Sequence, residues 1–272
     1  MRTRSVLGES KLSKPRQFTI ADLVGLAAAA AMVVAFVFKR RPETPEQLLA
    51  PLGITVAFAL LAWYTRGVNW SGALAGSALS FILAARNIRI FCVLLVVFGL
   101  TLAATKVGAD RKRQLRTAEA ADGRSASQVM ANLGVSGLIA AVAPSGTGWP
   151  LLALAALAEA AADTSSSEIG MAFPGKTVLI TSWKTVAPGI DGGISLRGTA
   201  AAISAAALVA LTGKLLGLVT PQHAAAAVYA GFLATLVDSL LGAVFERRGW
   251  LNNDLVNLLS TGAAAGIAWL IM

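Results

Sequence analysis

Residues 20–38 read IADLVGLAAAAAMVVAFVF, with Asp22 as the one charged side chain, and the stretch closes on Lys39-Arg40-Arg41. A hydrocarbon core about 30 Å thick needs roughly 20 apolar residues in helical form. The stretch meets that length, and no small-residue cleavage site follows it, so it reads as a membrane helix rather than a removable leader. Outward from it the pattern recurs. Candidate spans lie at 20–38, 49–65, 68–85, 88–105, 128–143, 149–163, 197–219, 222–246 and 254–271. Those at 49–65 and 149–163 are short for a full crossing and read as tilted or re-entrant. The expected architecture is an all-α, polytopic transmembrane helical bundle of about seven to nine spans.

Composition supports this. The chain of 272 residues is 56% hydrophobic and 14% charged, against about a quarter charged in soluble domains. Alanine and glycine are abundant, as expected where helices must approach closely without a hydrophobic drive between them. Cys92 is the single cysteine and sits in an apolar run, so it forms no intramolecular disulfide. Net charge is +9. In a membrane protein such an excess marks the cytoplasmic face, and no basic stretch is interleaved with aromatics in the manner of a nucleic-acid surface. With the N-terminus inside and the spans alternating, 17 of the 23 Lys and Arg residues fall on the cytoplasmic side and 6 on the other. The Lys39–Arg41 cluster dissents from that assignment. Residues 1–19 then form a basic cytoplasmic tail and 20–272 one transmembrane domain, with cytoplasmic loops at 106–127, helical near 110–121, and at 164–196. A bacterial-type inner membrane, with the active face toward the cytoplasm, is the expected location.

Acidic residues inside membrane spans are costly and point to function. Glu159, Asp163 and Asp238 lie inside spans, and Glu168, Asp191 and Asp254 lie beside them. Glu159 and Asp163 are one helical turn apart and share a face. Ala162-Asp163-Thr164 and Val237-Asp238-Ser239 echo one another at the same end of two small-residue spans. Carboxylates at a membrane edge beside lysines suit a hard divalent cation that also binds phosphate. Lys176, and the run from Lys184 through Gly189, Asp191, Gly192, Gly193 and Ser195, supply point charge and a glycine-rich backbone able to approach an anion. Ser195 precedes a span, so the free N–H groups of a helix start lie close to it. Asn132, Asn252, Asn253 and Asn257 sit at cytoplasmic span ends, as helix caps or as contacts to a nucleotide. No Walker A loop, HExxH, GxSxG or CxxC occurs, and His223, the one histidine, falls at the opposite surface.

Five stretches carry a resemblance over residues 60–272. They are 127–132 (SQVMAN), 162–170 (ADTSSSEIG), 184–195 (KTVAPGIDGGIS), 237–242 (VDSLLG) and 252–257 (NNDLVN). Together they are similar to the membrane family of human transmembrane protein 19 and plant phytyl-phosphate kinase, itself related to CTP-dependent phytol and dolichol kinases. The chain departs from the family's pattern at Ser165-Ser166-Ser167, where an aromatic and a small residue are common. The resemblance implies that Asp163, Glu168 and Asp238 hold Mg²⁺. Lys176, Lys184 and the 189–193 loop would hold the phosphates of CTP, with Asp163, Lys184 and Asp238 central to the chemistry. The expected activity is CTP-dependent phosphorylation of a prenyl monophosphate at the cytoplasmic face. The rivals are a prenol kinase, a lipid cytidylyltransferase and a transporter without enzymatic activity. The expected partners are a prenyl phosphate lipid, a nucleoside triphosphate and the bilayer, with no nucleic acid.

Overall fold

The computed structural model describes residues 18–40, 44, 46–115, 117, 123–173 and 175–272. Most of the basic N-terminal tail, Arg41, Pro174 and part of the 106–127 segment lie outside these residues. Along the chain run α1 (Ile20–Arg40), α2 (Glu46–Tyr64), α3 (Trp70–Arg86), α4 (Ile88–Lys106), a short α5 (Ala109–Leu115), α6 (Ala126–Val142), α7 (Trp149–Ala172), α8 (Leu196–Leu215), α9 (Pro221–Val244) and α10 (Asn253–Leu270). Each of the nine expected spans corresponds to one of the long helices among the described residues. Five stretches, 20–40, 47–64, 88–106, 196–215 and 221–248, are long and apolar enough to cross a membrane by length and composition. The chain is an all-α integral membrane protein.

α7 organises the bundle because its middle is almost wholly alanine and leucine. Every residue from Ala153 to Ala162 is buried. It packs against α4, α6, α8, α9 and α10. Small residues on the neighbours set the approach. A Cβ at Gly231 of α9 would lie 3.1 Å from Ala158 Cβ, and one at Gly213 of α8 would lie 2.7 Å from Leu154 Cδ2. Such contacts are the packing currency of membrane helices. A smaller core joins α1, α3 and α6 through Ala29, Ala75, Leu79 and Val129, while α2 packs principally on α3.

Polar contacts fix the two ends of the bundle. At one end Asp22 of α1 accepts from the N–H of Ser127 in the first turn of α6 (3.2 Å), a cap supplied across helices. At the other, Lys39, Arg40 and Arg86 turn onto the last carbonyls of α6. Arg40 donates to Ala143 O at 3.2 Å and Arg86 to the same oxygen at 3.0 Å, and Lys39 donates to Val142 O. Lys39 and Arg40, the described members of the dissenting cluster, are thus helix-capping donors.

Two segments differ from expectation. The stretch from Thr164 to Ala172, read as the start of a polar loop, continues α7. Much of its polarity is packed: Thr164, Ser165 and Glu168 are buried, and Glu168 Oε2 meets Lys112 Nζ of α5 at 2.5 Å. Beyond it the Gly-rich part folds as a small antiparallel sheet of β1 (Thr177–Leu179), β2 (Thr185–Val186) and β3 (Gly193–Ser195) in the order β2-β1-β3, with Thr177 opposite both Val186 and Ser195. Between the end of α4 and the start of α6, helix is confined, among the described residues, to α5.

Candidate functional site

Two helices bring the two echoed acids together. Asp163 on α7 and Asp238 on α9 each lie one to three turns inside the C-terminal end of their helix and sit side by side. Ser260 of α10 donates to Asp238 Oδ2 at 3.1 Å. Glu159, one turn back on α7, adjoins both aspartates and is buried, and its Oε1 has no hydrogen-bond partner among the described residues. Three carboxylates converge where a bundle interior meets its polar end.

Asp163 and Asp238 form one side of a cavity of about 340 Å³. Ser166, Ser167 and Gly170 extend that wall along α7, Ser239 and Gly242 extend it along α9, and Glu246 continues it just past the end of α9. Opposite stands the loop Pro188–Gly193 with Thr177, Ser195 and Asn253. The loop can lie so close because its glycines replace side chains. Gly192 has φ +75, and a Cβ there would meet Ala243 Cβ of α9 at 2.4 Å. Gly189 has φ +84, and a Cβ there would fall 2.6 Å from Thr117 Cγ2. Ser195 is the N-cap of α8, its Oγ accepting from Gly198 N at 3.1 Å.

The electrostatics are one-sided. Among the described residues that line the cavity are Asp163, Asp191, Asp238 and Glu246, with no Lys, Arg or His. The cation within electrostatic reach of Asp163 is Arg124, at the start of α6. A cavity so acidic repels a bare polyphosphate and favours one that arrives with a divalent cation. Among the described residues no three His, Cys, Asp or Glu side chains converge closely enough to hold a metal unaided. Mg²⁺, however, needs only one or two carboxylates when water and phosphate oxygens complete its shell, and the hard oxygens of Asp163 and Asp238 fit that need.

The sequence-derived residues divide into two groups. Asp163, Asp238, Gly189, Asp191, Gly192, Gly193, Ser195 and Asn253 line this one cavity. The others do not. Glu168 is turned to Lys112, which also donates to Ala104 O at 3.1 Å and Thr105 O at 2.6 Å. Lys176 and Lys184 are exposed on the strand-bearing segment. Asn132 belongs to a separate, apolar groove on another face of α7, and its Nδ2 donates to Gln128 O at 2.9 Å. Asn257 lies a turn beyond Asn253 on α10, its carbonyl accepting from the hydroxyls of Ser260 and Thr261. Sequence reasoning missed Glu246, the last residue of the expected span 222–246, and the lining serines 166, 167 and 239.

Comparison with known proteins places these features in a family. Residues 53–265 match the family described as Integral membrane protein DUF92. An uncharacterized membrane protein of Methanocaldococcus jannaschii is 34% identical over 221 residues, which is 80% of this chain and 92% of that protein. Protein VTE6, chloroplastic, of Arabidopsis thaliana is 32% identical over 192 residues, 66% of this chain and 58% of that protein. An uncharacterized membrane protein of Synechocystis is 29% identical over 247 residues, 88% and 89% of the two chains. No solved structure matches.

Proposed function

The chain belongs to this family of integral membrane proteins, and from that premise we propose that it transfers the γ-phosphoryl group of CTP to a prenyl monophosphate, giving the diphosphate and CDP. The observation that carries the reading is the acidic cavity at the polar end of an apolar bundle, where Asp163 and Asp238 face a glycine loop pressed against α9. The five motifs shared with the phytyl-phosphate kinase family support the choice of reaction, and the substrate's own nature supports the place. A prenyl phosphate keeps its tail in lipid and its head in water, so its phosphate is met at the end of a span.

The reaction forms a bond from an acceptor phosphate oxygen to the γ-phosphorus and breaks the bond from that phosphorus to the β–γ bridging oxygen. The acceptor is already ionised near neutral pH, so no strong general base is required. The work left to the protein is positioning and charge stabilisation. Asp163 and Asp238 would hold Mg²⁺, which when bound neutralises charge on the triphosphate. The backbone of Gly189–Gly193 and the hydroxyls of Ser166, Ser167 and Ser239 orient phosphate oxygens against that wall, and Asn253 stands at the rim to contact the nucleotide. A cavity of about 340 Å³ falls within the roughly 300–1,000 Å³ of small-ligand sites. Lys176 and Lys184, exposed on the strand-bearing segment, add long-range positive potential. On the charge count above, this end faces the cytoplasm.

The test uses the full chain in lipid nanodiscs, with CTP labelled at the γ-phosphate and geranylgeranyl or phytyl phosphate, with and without Mg²⁺. Label in the lipid diphosphate and release of CDP, both dependent on Mg²⁺, are expected. Release of pyrophosphate instead would identify cytidylyl transfer, and no transfer to any prenyl acceptor would overturn the reading in favour of a carrier.

A further inference from the structure

On the other face of α7 from the acidic cavity lies a narrow groove between α2, α3, α4 and α6. Ala160 and Thr164 of α7 line it, whereas Asp163 and Ser167 of the same helix line the acidic cavity. Its walls are apolar over most of their length: Phe58 of α2, Val97 and Phe98 of α4, and Ala73 and Gly76 of α3. Phe58 stands edge-on to both Phe91 and Phe98, with ring centroids 5.6 and 5.2 Å away. The groove becomes polar at one end only, where Arg124 enters with Gln128 and Asn132.

Arg124 is held there by its backbone. Its N–H donates to Gly67 O at 3.2 Å, and its carbonyl accepts from Asn69 N at 3.0 Å. A Cβ at Gly72 would fall 2.1 Å from that carbonyl, and Gly123, with φ +89, fits between Arg66 and Val68 where no side chain could. Among the described residues no carboxylate lies within ion-pair distance of its guanidinium, though Asp163 lies within electrostatic reach. An unneutralised guanidinium at the mouth of an apolar groove, beside an acidic cavity, has the charge pattern of a lipid phosphate read from the tail upward. Arginine's planar fork suits a phosphate dianion.

We infer that this groove holds the isoprenoid tail of the acceptor, with Arg124 holding its phosphate at the boundary between groove and acidic cavity. The inference rests on the prenyl phosphate kinase reading and deepens it, making α7 the partition between a tail side and a nucleotide side. Entry is from the bilayer past α2, which packs principally on α3 and is exposed along most of its length. Gly76 is the position from which to block the groove, since a Cβ there meets only Val129 Cγ1, at 3.9 Å.

The experiment is photolabelling of the full chain in phosphatidylcholine nanodiscs, without nucleotide, by geranylgeranyl phosphate carrying a diazirine on its tail. Label is expected on α2, α3 and α4 facing the groove, competed by unlabelled geranylgeranyl phosphate. Gly76→Leu should cut that label at least about tenfold, Gly76→Ala less, and Gly266→Leu on the exposed face of α10 not at all. Arg124→Gln should weaken competition by the phosphate but not by the free prenol, and Arg124→Lys should restore part of it. Label spread over all lipid-facing helices, or equal labelling by a diazirine phosphatidylcholine, would mean bulk lipid fills the groove and would overturn the inference. Loss of label in Gly266→Leu as well would overturn it too. Specific labelling without CTP-dependent transfer would sink the kinase reading alone. Transfer that Gly76→Leu leaves unchanged, for long and short prenyl phosphates alike, would sink the groove alone.

Discussion

The two ends of the bundle both concentrate charge, and they use it in opposite ways. At the end where α1, α3 and α6 finish, Arg40 and Arg86 share the carbonyl of Ala143, Lys39 takes Val142 O, and Arg89 donates to Gly217 O at 3.1 Å. Each cation there satisfies a backbone group that the helix leaves open. At the end where α7 and α9 finish, Glu159, Asp163 and Asp238 meet one another, with Glu246 further along the same wall and Asp191 across the cavity. Like charges gathered without an ion-pair partner among the described residues are a cost that folding alone does not explain. A ligand bearing the opposite charge offsets it. Charge at a membrane helix end is therefore structural where a carbonyl answers it and a candidate for binding where nothing does. Glu168 is the informative exception, an acid at the second end that is treated in the manner of the first.

Lys112→Met tests that exception and carries the largest expected effect. It leaves Glu168 buried without its cation and uncovers the carbonyls of Ala104 and Thr105. Breaking a buried pair from one side costs about 3–5 kcal/mol, so the purified variant should show a clear fall in Tm or fail to stay monodisperse. Lys112→Met with Glu168→Leu should recover most of the loss. If the single variant is as stable as the parent, the pair is not structural and Glu168 belongs with the unpaired acids. Asp163→Asn and Asp238→Asn come next. Phosphoryl transfer should fall about 10²–10³-fold, roughly 3–4 kcal/mol of transition-state stabilisation. Tm should hold or rise, because each removes one of three crowded carboxylates. Undiminished transfer would take these residues out of the metal-holding role.

The same contrast explains what could be read from the sequence. The apolar runs announce every long helix, since membrane burial demands length and continuity. The family relation follows from local motifs. The convergence of Asp163 with Asp238 was legible as a pairwise echo, because two acids at the same end of two small-residue spans meet once those spans pack. Continuation of α7 through Thr164–Ala172 was hidden, because it depends on Lys112 reaching Glu168 from 56 residues earlier. The sheet at 177–195 was hidden in the same way: its strands are two or three residues long, too short for any alternation to show. Arg124 sits in what reads as a charged cytoplasmic loop, and only tertiary packing brings it to the groove.

Arg86→Leu sharpens the comparison from the other end. Arg86 loses a bond to Ala143 O and its place 4.6 Å above the Trp149 ring. A cap and a cation–π contact together are worth about 1–2 kcal/mol. A modest fall in Tm with kcat and KM unchanged is expected. A loss of activity without a loss of stability would show that charge at this end also acts on the site.

The smallest effects are expected at Lys176 and Lys184, and they bear on whether the second end is finished as it stands. Both side chains are exposed and neither lines the cavity, so each reaches a bound triphosphate only as a screened point charge. Alanine at either position should raise KM for the nucleotide about two- to fivefold, leave kcat intact, and lose even that difference in high salt. A drop as large as that of Asp163→Asn, insensitive to salt, would mean that the sheet swings over the cavity when nucleotide binds and carries a lysine into contact. The acidic end would then be completed by closure, whereas the capped end is complete once folded.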